Sequence, residues 1–196
     1  FDEAQNVEEV ATSFLGLEIS NTGLFYFLDR LHNARTHKGL LSRIDYSAPT
    51  HLHGLVNHVR HAAEAFFDHV FEAYGRKDRV VRFYEPPPLD NLIYTPLQEL
   101  FETLRGLESR LQSEEDKLEI AAAATRCFDY NISLQAILQQ MKAGYVYWLE
   151  VAGKKRGTRA VLCGVPINVA EELDRQVFSK IERVALTSAT LTTSRK

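Results

Sequence analysis

The stretch THLHGLVNHVRHAAEAFFDHVFEAY, residues 50–74, carries Leu52, Leu55, Val56, Val59, Ala62, Ala63, Phe66, Val70 and Tyr74 at steps of three and four residues. That spacing gathers apolar side chains along one stripe of an α-helix. It predicts a long amphipathic helix, which Gly75 would stop. A second helical region begins near Pro96, where Leu97, Leu100, Leu104, Leu107 and Leu111 keep a heptad-like spacing. Ser113 followed by Glu114, Glu115 and Asp116 reads as a fresh N-cap, and neither Gly nor Pro interrupts the chain from there to Lys142. The expected apolar stripe of this stretch is Leu118, Ala121, Ala122, Phe128, Ile132, Ile137 and Met141. Helices packed side by side, or one bent helix, would both satisfy it.

Upstream, residues 6–15 predict a short helix with Val7, Val10, Ala11 and Phe14 on one face and Asn6 as its cap. Residues 22–31 continue a helical period, and 32–39 form a polar break. Strand character is confined to small regions. Residues 79–85 alternate before Pro86, Pro87 and Pro88 exclude a helix. Residues 145–151 and 158–163 bracket a Gly- and Lys-rich turn, which is the composition of a hairpin. Residues 168–180 predict another amphipathic helix through Val169, Leu173, Val177 and Ile181, followed by a short buried strand over 183–186. The fold class expected is therefore mainly α, with a small β-hairpin and short strands.

The chain has 196 residues, 45% hydrophobic and 25% charged, which is the profile of a folded globular protein. No run approaches the roughly 20 apolar residues of a membrane helix, and no targeting pattern opens the chain, so a water-soluble, cytoplasmic and monomeric protein without a membrane partner is expected. The chain opens directly on an acidic motif and has a single methionine, Met141, which predicts a piece of something longer. Cys127 and Cys163 lack the spacing of a metal site or disulfide framework and read as reduced, partly buried thiols. A net charge of −3 offers nucleic acid no global attraction, so any contact with phosphates must come from local clusters of Lys and Arg.

Two motifs near opposite ends carry chemistry. At the start, Phe1 precedes Asp2-Glu3-Ala4-Gln5, the end-of-strand arrangement in which one carboxylate holds hydrated Mg²⁺ and the next orients an attacking water. Two adjacent acids alone would equally suit the positive end of a helix. At the other end, Val184-Ala185-Leu186 runs into Thr187-Ser188-Ala189-Thr190-Leu191. Together the pair resembles motifs II and III of superfamily 2 helicases. The separation of nearly the whole chain resembles the DinG/XPD-like ATP-dependent DNA helicases, where a helical arch is inserted between the two. Asp2-Glu3-Ala4-Gln5-Asn6-Val7 is similar to that branch's Asp-Glu-Ala-His-Asn-apolar box. Tyr147-Trp148-Leu149-Glu150 is similar to the aromatic strand after the arch, and Pro166-Ile167-Asn168-Val169 to the return into the motor.

The resemblance implies that residues 1–15 leave an α/β motor domain, 16–143 form the arch with long antiparallel helices, and 144–196 return to the motor through hairpin, helix and strand. It implies ATP and Mg²⁺ as cofactors of the longer protein, with Asp2 helping to hold the metal and Glu3 activating water. Thr187, Ser188, Ala189 and Thr190 would couple nucleotide state to the DNA-gripping surface. The family's His is Gln5 here, which hydrogen-bonds but cannot carry positive charge. Single-stranded DNA and the remainder of the motor are the implied partners, with 5′ to 3′ polarity. No Gly-x-x-x-x-Gly-Lys-Ser/Thr loop occurs, so the chain alone cannot grip ATP phosphates. The iron-sulfur cluster of many relatives would also lie outside it.

Lys154, Lys155 and Arg156 with Arg159, beside Tyr145, Tyr147 and Trp148, combine phosphate-binding charge with rings able to stack on bases. A solvated turn over a core strand is the plainer alternative. Arg76, Lys77, Arg79 and Arg82 form a second basic cluster at a helix end, where cations suit the dipole anyway. Among the seven histidines only His58 and His61 have helical ligand spacing, with no carboxylate beside them, and they read as helix flank. Two other readings stand beside the helicase: a helical module that docks a repair or replication protein, and a nuclease-linked helicase.

Overall fold

A computed structural model of the chain describes residues 3–44, 51–75, 79–153, 158–185 and 187–188. Its centre is the expected hairpin. Strands β3 (Tyr145–Ala152) and β4 (Arg159–Pro166) pair antiparallel from Tyr145↔Pro166 to Ala152↔Arg159. Strand β2 (Arg79–Phe83) adds to the free edge of β3, and β1 (Leu17–Ser20) to that of β4. The sheet order is β1-β4-β3-β2, antiparallel throughout.

Alternation gives the sheet two unlike faces. Ile19, Phe83, Tyr147, Leu149, Val151, Ala160 and Leu162 point into a core shared with the helices α2 (Asn21–Leu31), α4 (Leu52–Tyr74), α5 (Tyr94–Glu108) and α6 (Glu114–Leu138). The hairpin thus shares one core with the helical body. Gly164 makes room for this packing: a Cβ there would lie 2.8 Å from two ring carbons of the buried Tyr147 opposite it. The Tyr147 hydroxyl accepts from the Lys142 N–H at 3.0 Å and donates to the Lys142 carbonyl at 3.2 Å. The remaining elements are α1 (Val7–Leu15), α3 (Leu40–Arg43) and α7 (Val169–Gln176).

The helix expected over 50–74 is observed as Leu52–Tyr74, its stripe buried at Leu52, Val56, Val59, Ala63, Phe66, Phe67 and Val70. On α5 the heptad leucines 97, 100, 104 and 107 are all buried. Ser113 caps α6 by accepting from Asp116 N–H. The helices are two and antiparallel, since Asn131 late in α6 donates to the Tyr94 carbonyl at the start of α5, at 3.2 Å.

Four local expectations are corrected. The buried stripe of α6 is Ile120, Ala123, Ala124, Cys127, Tyr130, Asn131, Leu134, Ile137 and Leu138, whereas Leu118, Phe128, Ile132 and Met141 are exposed. The inner face mixes small residues, Ala123, Ala124 and Cys127, with larger ones, so side-chain size alone does not mark it. Asn6 is no cap: it closes a 3₁₀ turn, Ala4–Asn6, in helical backbone with no side-chain cap bond. The helix of 168–180 is shortened to α7, since Val177 leaves helical geometry before a 3₁₀ turn at Phe178–Lys180. Residues 183–185 are exposed and lie outside the four-stranded sheet, and 186 lies outside the described residues.

Strand β1 gave no periodic signal over its four residues, yet it sets the start of α2. Ser20 caps the helix by accepting from Gly23 N–H. Asn21 then ties it to β4, donating to the Thr158 carbonyl at 2.9 Å and accepting from Ala160 N–H at 3.1 Å. Asn21→Ala would strand both backbone groups at a buried place, at a cost of about 1–3 kcal/mol. A urea melt should show the loss, while Thr22→Ala on the exposed side should leave the midpoint in place.

His32 ends α2 and is 5% exposed. Its ring stacks on His53 at 4.2 Å and 14°, with His37 at 6.3 Å, and neither His32 Nδ1 nor His53 Nε2 has a hydrogen-bond partner. Burial first, then His53, His37 and Arg60, hold the His32 pKa below its ordinary 6.5. The depressed base means that the unfolded chain takes up the proton first on acidification. The neutral imidazole's stabilising contribution is complete above that ordinary value and declines as pH falls through it. Unfolding midpoints taken between about pH 7.5 and pH 5 should therefore drop, and less steeply in His32→Phe, which keeps the stack but cannot titrate.

Candidate functional site

The two motifs expected to carry chemistry lie side by side. Glu3 follows the undescribed Asp2 with φ of +54°, a left-handed backbone that costs a non-glycine residue about 1 kcal/mol or more. Gln5 donates from Nε2 to the Glu3 carboxylate, and its Oε1 accepts from the Ser188 hydroxyl. The amide of Gln5 thus bridges Glu3 and Ser188, donating to the first and accepting from the second. A positively charged imidazole could only donate. Thr187 is exposed and Ser188 half-buried, while Asp2, Ala189 and Thr190 lie outside the described residues.

The second face of the sheet begins beside this contact. Register places Glu18, Cys163, Trp148 and Arg82 in one row across the four strands. A groove of about 660 Å³ runs between this face and α1, lined among others by Gln5, Glu8, Glu9, Glu18, Trp148, Glu150 and Arg159. Trp148 Nε1 donates to Glu150 Oε1 at 2.8 Å, and Arg159 lies 3.8 Å from Glu18. Four carboxylates against one guanidinium make the groove repel phosphate. Trp148 and Arg159 therefore stand on an acidic wall, and any phosphate binding by the hairpin rests on Lys154, Lys155 and Arg156, which lie outside the described residues. Of the other rings expected to stack on bases, Tyr147 is buried, and Tyr145 donates to the Leu15 carbonyl at 3.3 Å. Both are structural. In the second basic cluster Arg76 and Lys77 are outside the described residues, while Arg82 lies 5.0 Å over the exposed Tyr84 ring.

Among the described residues no group of three or more His, Cys, Asp or Glu could hold a metal ion. Both cysteines are free and buried. Burial pushes the Cys127 thiol up to about 12, and burial with the Glu150 and Glu18 carboxylates does the same for Cys163. Neither thiol is a nucleophile at neutral pH.

A third place escaped the sequence reading. Tyr26 and Arg30 on α2 face Arg126 and Tyr130 on α6 across a groove of about 530 Å³. About a hundred residues separate the pairs, so no local pattern joins them; only the i, i+4 spacing within each helix was visible. Neither a scan of protein-family models nor a search of the curated proteins finds a match for this chain.

Proposed function

We propose that this chain is the part of a DinG/XPD-like ATP-dependent DNA helicase that lies between the Mg-ATP motif and the Ser-Ala-Thr motif, the helical body forming a wall past which single-stranded DNA is guided. The observation that carries this reading is the hydrogen bond from Ser188 to Gln5. Coupling hydrolysis to strand movement needs the residue beside the attacking water to sense the second motif, and Gln5 touches both Glu3 and Ser188. In the intact protein Asp2 would hold Mg²⁺ and Glu3 would draw the proton from water as it attacks the γ-phosphate. ATP binding would fall to a phosphate loop elsewhere in the protein.

A second feature agrees with a neighbouring domain. Val10 and Phe14 on α1 are 64% and 78% exposed, and with Leu173, Val177 and Phe178 they line an apolar groove of about 420 Å³. The rest of a motor domain would cover it. The docking-module reading has an observation of its own in Leu118, Phe128 and Ile132, exposed along α6. ATP hydrolysis by the intact protein with Glu3→Gln separates the two, since a docking module would be indifferent to that change.

A further inference from the structure

The groove between α2 and α6 has the chemistry of a nucleic-acid surface. A Cβ on Gly23 would lie 3.6 Å from the Tyr130 hydroxyl, and Phe27 packs on the Tyr130 ring at 5.6 Å. Beyond the end of α2, Arg43 pairs with Asp116 and Glu119 in the first turns of α6. The two helices therefore run in opposite directions, and their middles present Tyr26, Arg30 and Arg126 to one concavity.

Charge decides what fits there. The carboxylate in the lining, Glu119, is held by Arg43. Arg126 lies 5.1 Å over the Tyr130 ring with Nη2 3.4 Å from its hydroxyl, which orients the guanidinium without neutralising it. Among the described residues neither Arg30 nor Arg126 makes an ion pair. Beside them the Tyr26 ring is 67% exposed. Two unneutralised guanidiniums next to an exposed ring are the elements from which sequence-tolerant single-strand surfaces are built, arginines on phosphates and aromatics on base faces. The acidic groove below Trp148 is the opposite case.

We propose that the α2–α6 groove binds single-stranded DNA, with Arg30 and Arg126 on phosphates and Tyr26 stacked on an unpaired base. The assignment rests on reading the chain as part of a strand-handling motor, and it moves the contact surface from the hairpin tip to the helical body. All three side chains are exposed, so replacing them leaves the core intact, which circular dichroism would check.

Fluorescence anisotropy of a labelled oligothymidylate of about 12 nucleotides, titrated with the 196-residue chain at low and moderate salt, tests it. The expected result is salt-sensitive binding that weakens about tenfold or more in R30Q/R126Q. The slope of log affinity against log salt should fall by roughly 1.4, about 0.7 for each phosphate that the variant no longer neutralises. Tyr26→Ala should weaken binding about tenfold at every salt concentration, as removal of one stacked base predicts. Unchanged affinity in R30Q/R126Q, or no binding even at low salt, overturns the groove. If changing Lys154, Lys155 and Arg156 to Ala abolishes binding instead, the groove falls and strand handling by the hairpin stands. Failure of the motor reading itself would appear in hydrolysis by Glu3→Gln, which this titration does not touch.

Discussion

Replacing Glu3 by Gln in the intact protein should slow ATP turnover about 10²- to 10⁴-fold, the contribution of a positioned general base, while leaving KM for ATP nearly unchanged. The amide keeps the shape of the carboxylate and can still meet Gln5, so the bridge between the two motifs survives and only the capacity to take a proton is removed. That split between kcat and KM is what distinguishes water activation from nucleotide binding. Steady-state turnover with saturating single-stranded DNA is the measurement. Turnover equal to that of the unaltered protein would remove Glu3 from the chemistry, and the proposed function with it.

The second large effect concerns the folded body. Leu134→Ala on the inner face of α6 should destabilise the chain by about 2–5 kcal/mol, because the side chain is fully buried and the surrounding helices can collapse only partly onto the cavity. Leu118→Ala on the same helix, where the side chain is 71% exposed, should stay within about 0.5 kcal/mol. Paired denaturant melts give both numbers. Equal losses at the two positions would mean that α6 presents a different face to α5. Since domains of this kind have about 5–15 kcal/mol in hand, the first change takes a large share of the total.

The same helix shows why sequence reading succeeded in some places and failed in others. Helices α4 and α5 were legible because large aliphatic residues repeat only on their inner faces. On α6 the small Ala123, Ala124 and Cys127 share the inner face with larger residues, while Leu118, Phe128 and Ile132 lie outside, so side-chain size pointed to the wrong stripe. The hairpin was legible from its two β-rich runs around a glycine turn. Strand β1 was not, since four residues cannot show a period and its pairing with β4 is a long-range choice. For the site, motif resemblance named Glu3, Gln5 and Ser188, but a hydrogen bond between residues so distant has no local signature. The acidic surroundings of Trp148 were equally hidden, because Glu8, Glu18 and Glu150 come from three separate elements.

The bridge from Gln5 to Ser188 gives the helical body the geometry of a closed loop on a narrow stem. In the motor proposed above, such a loop would need no wider gap between host strands than a tight turn, because Gln5 and Ser188 stand one hydrogen bond apart. The body could be cut out at the stem and a few residues put in its place without disturbing the strands on either side.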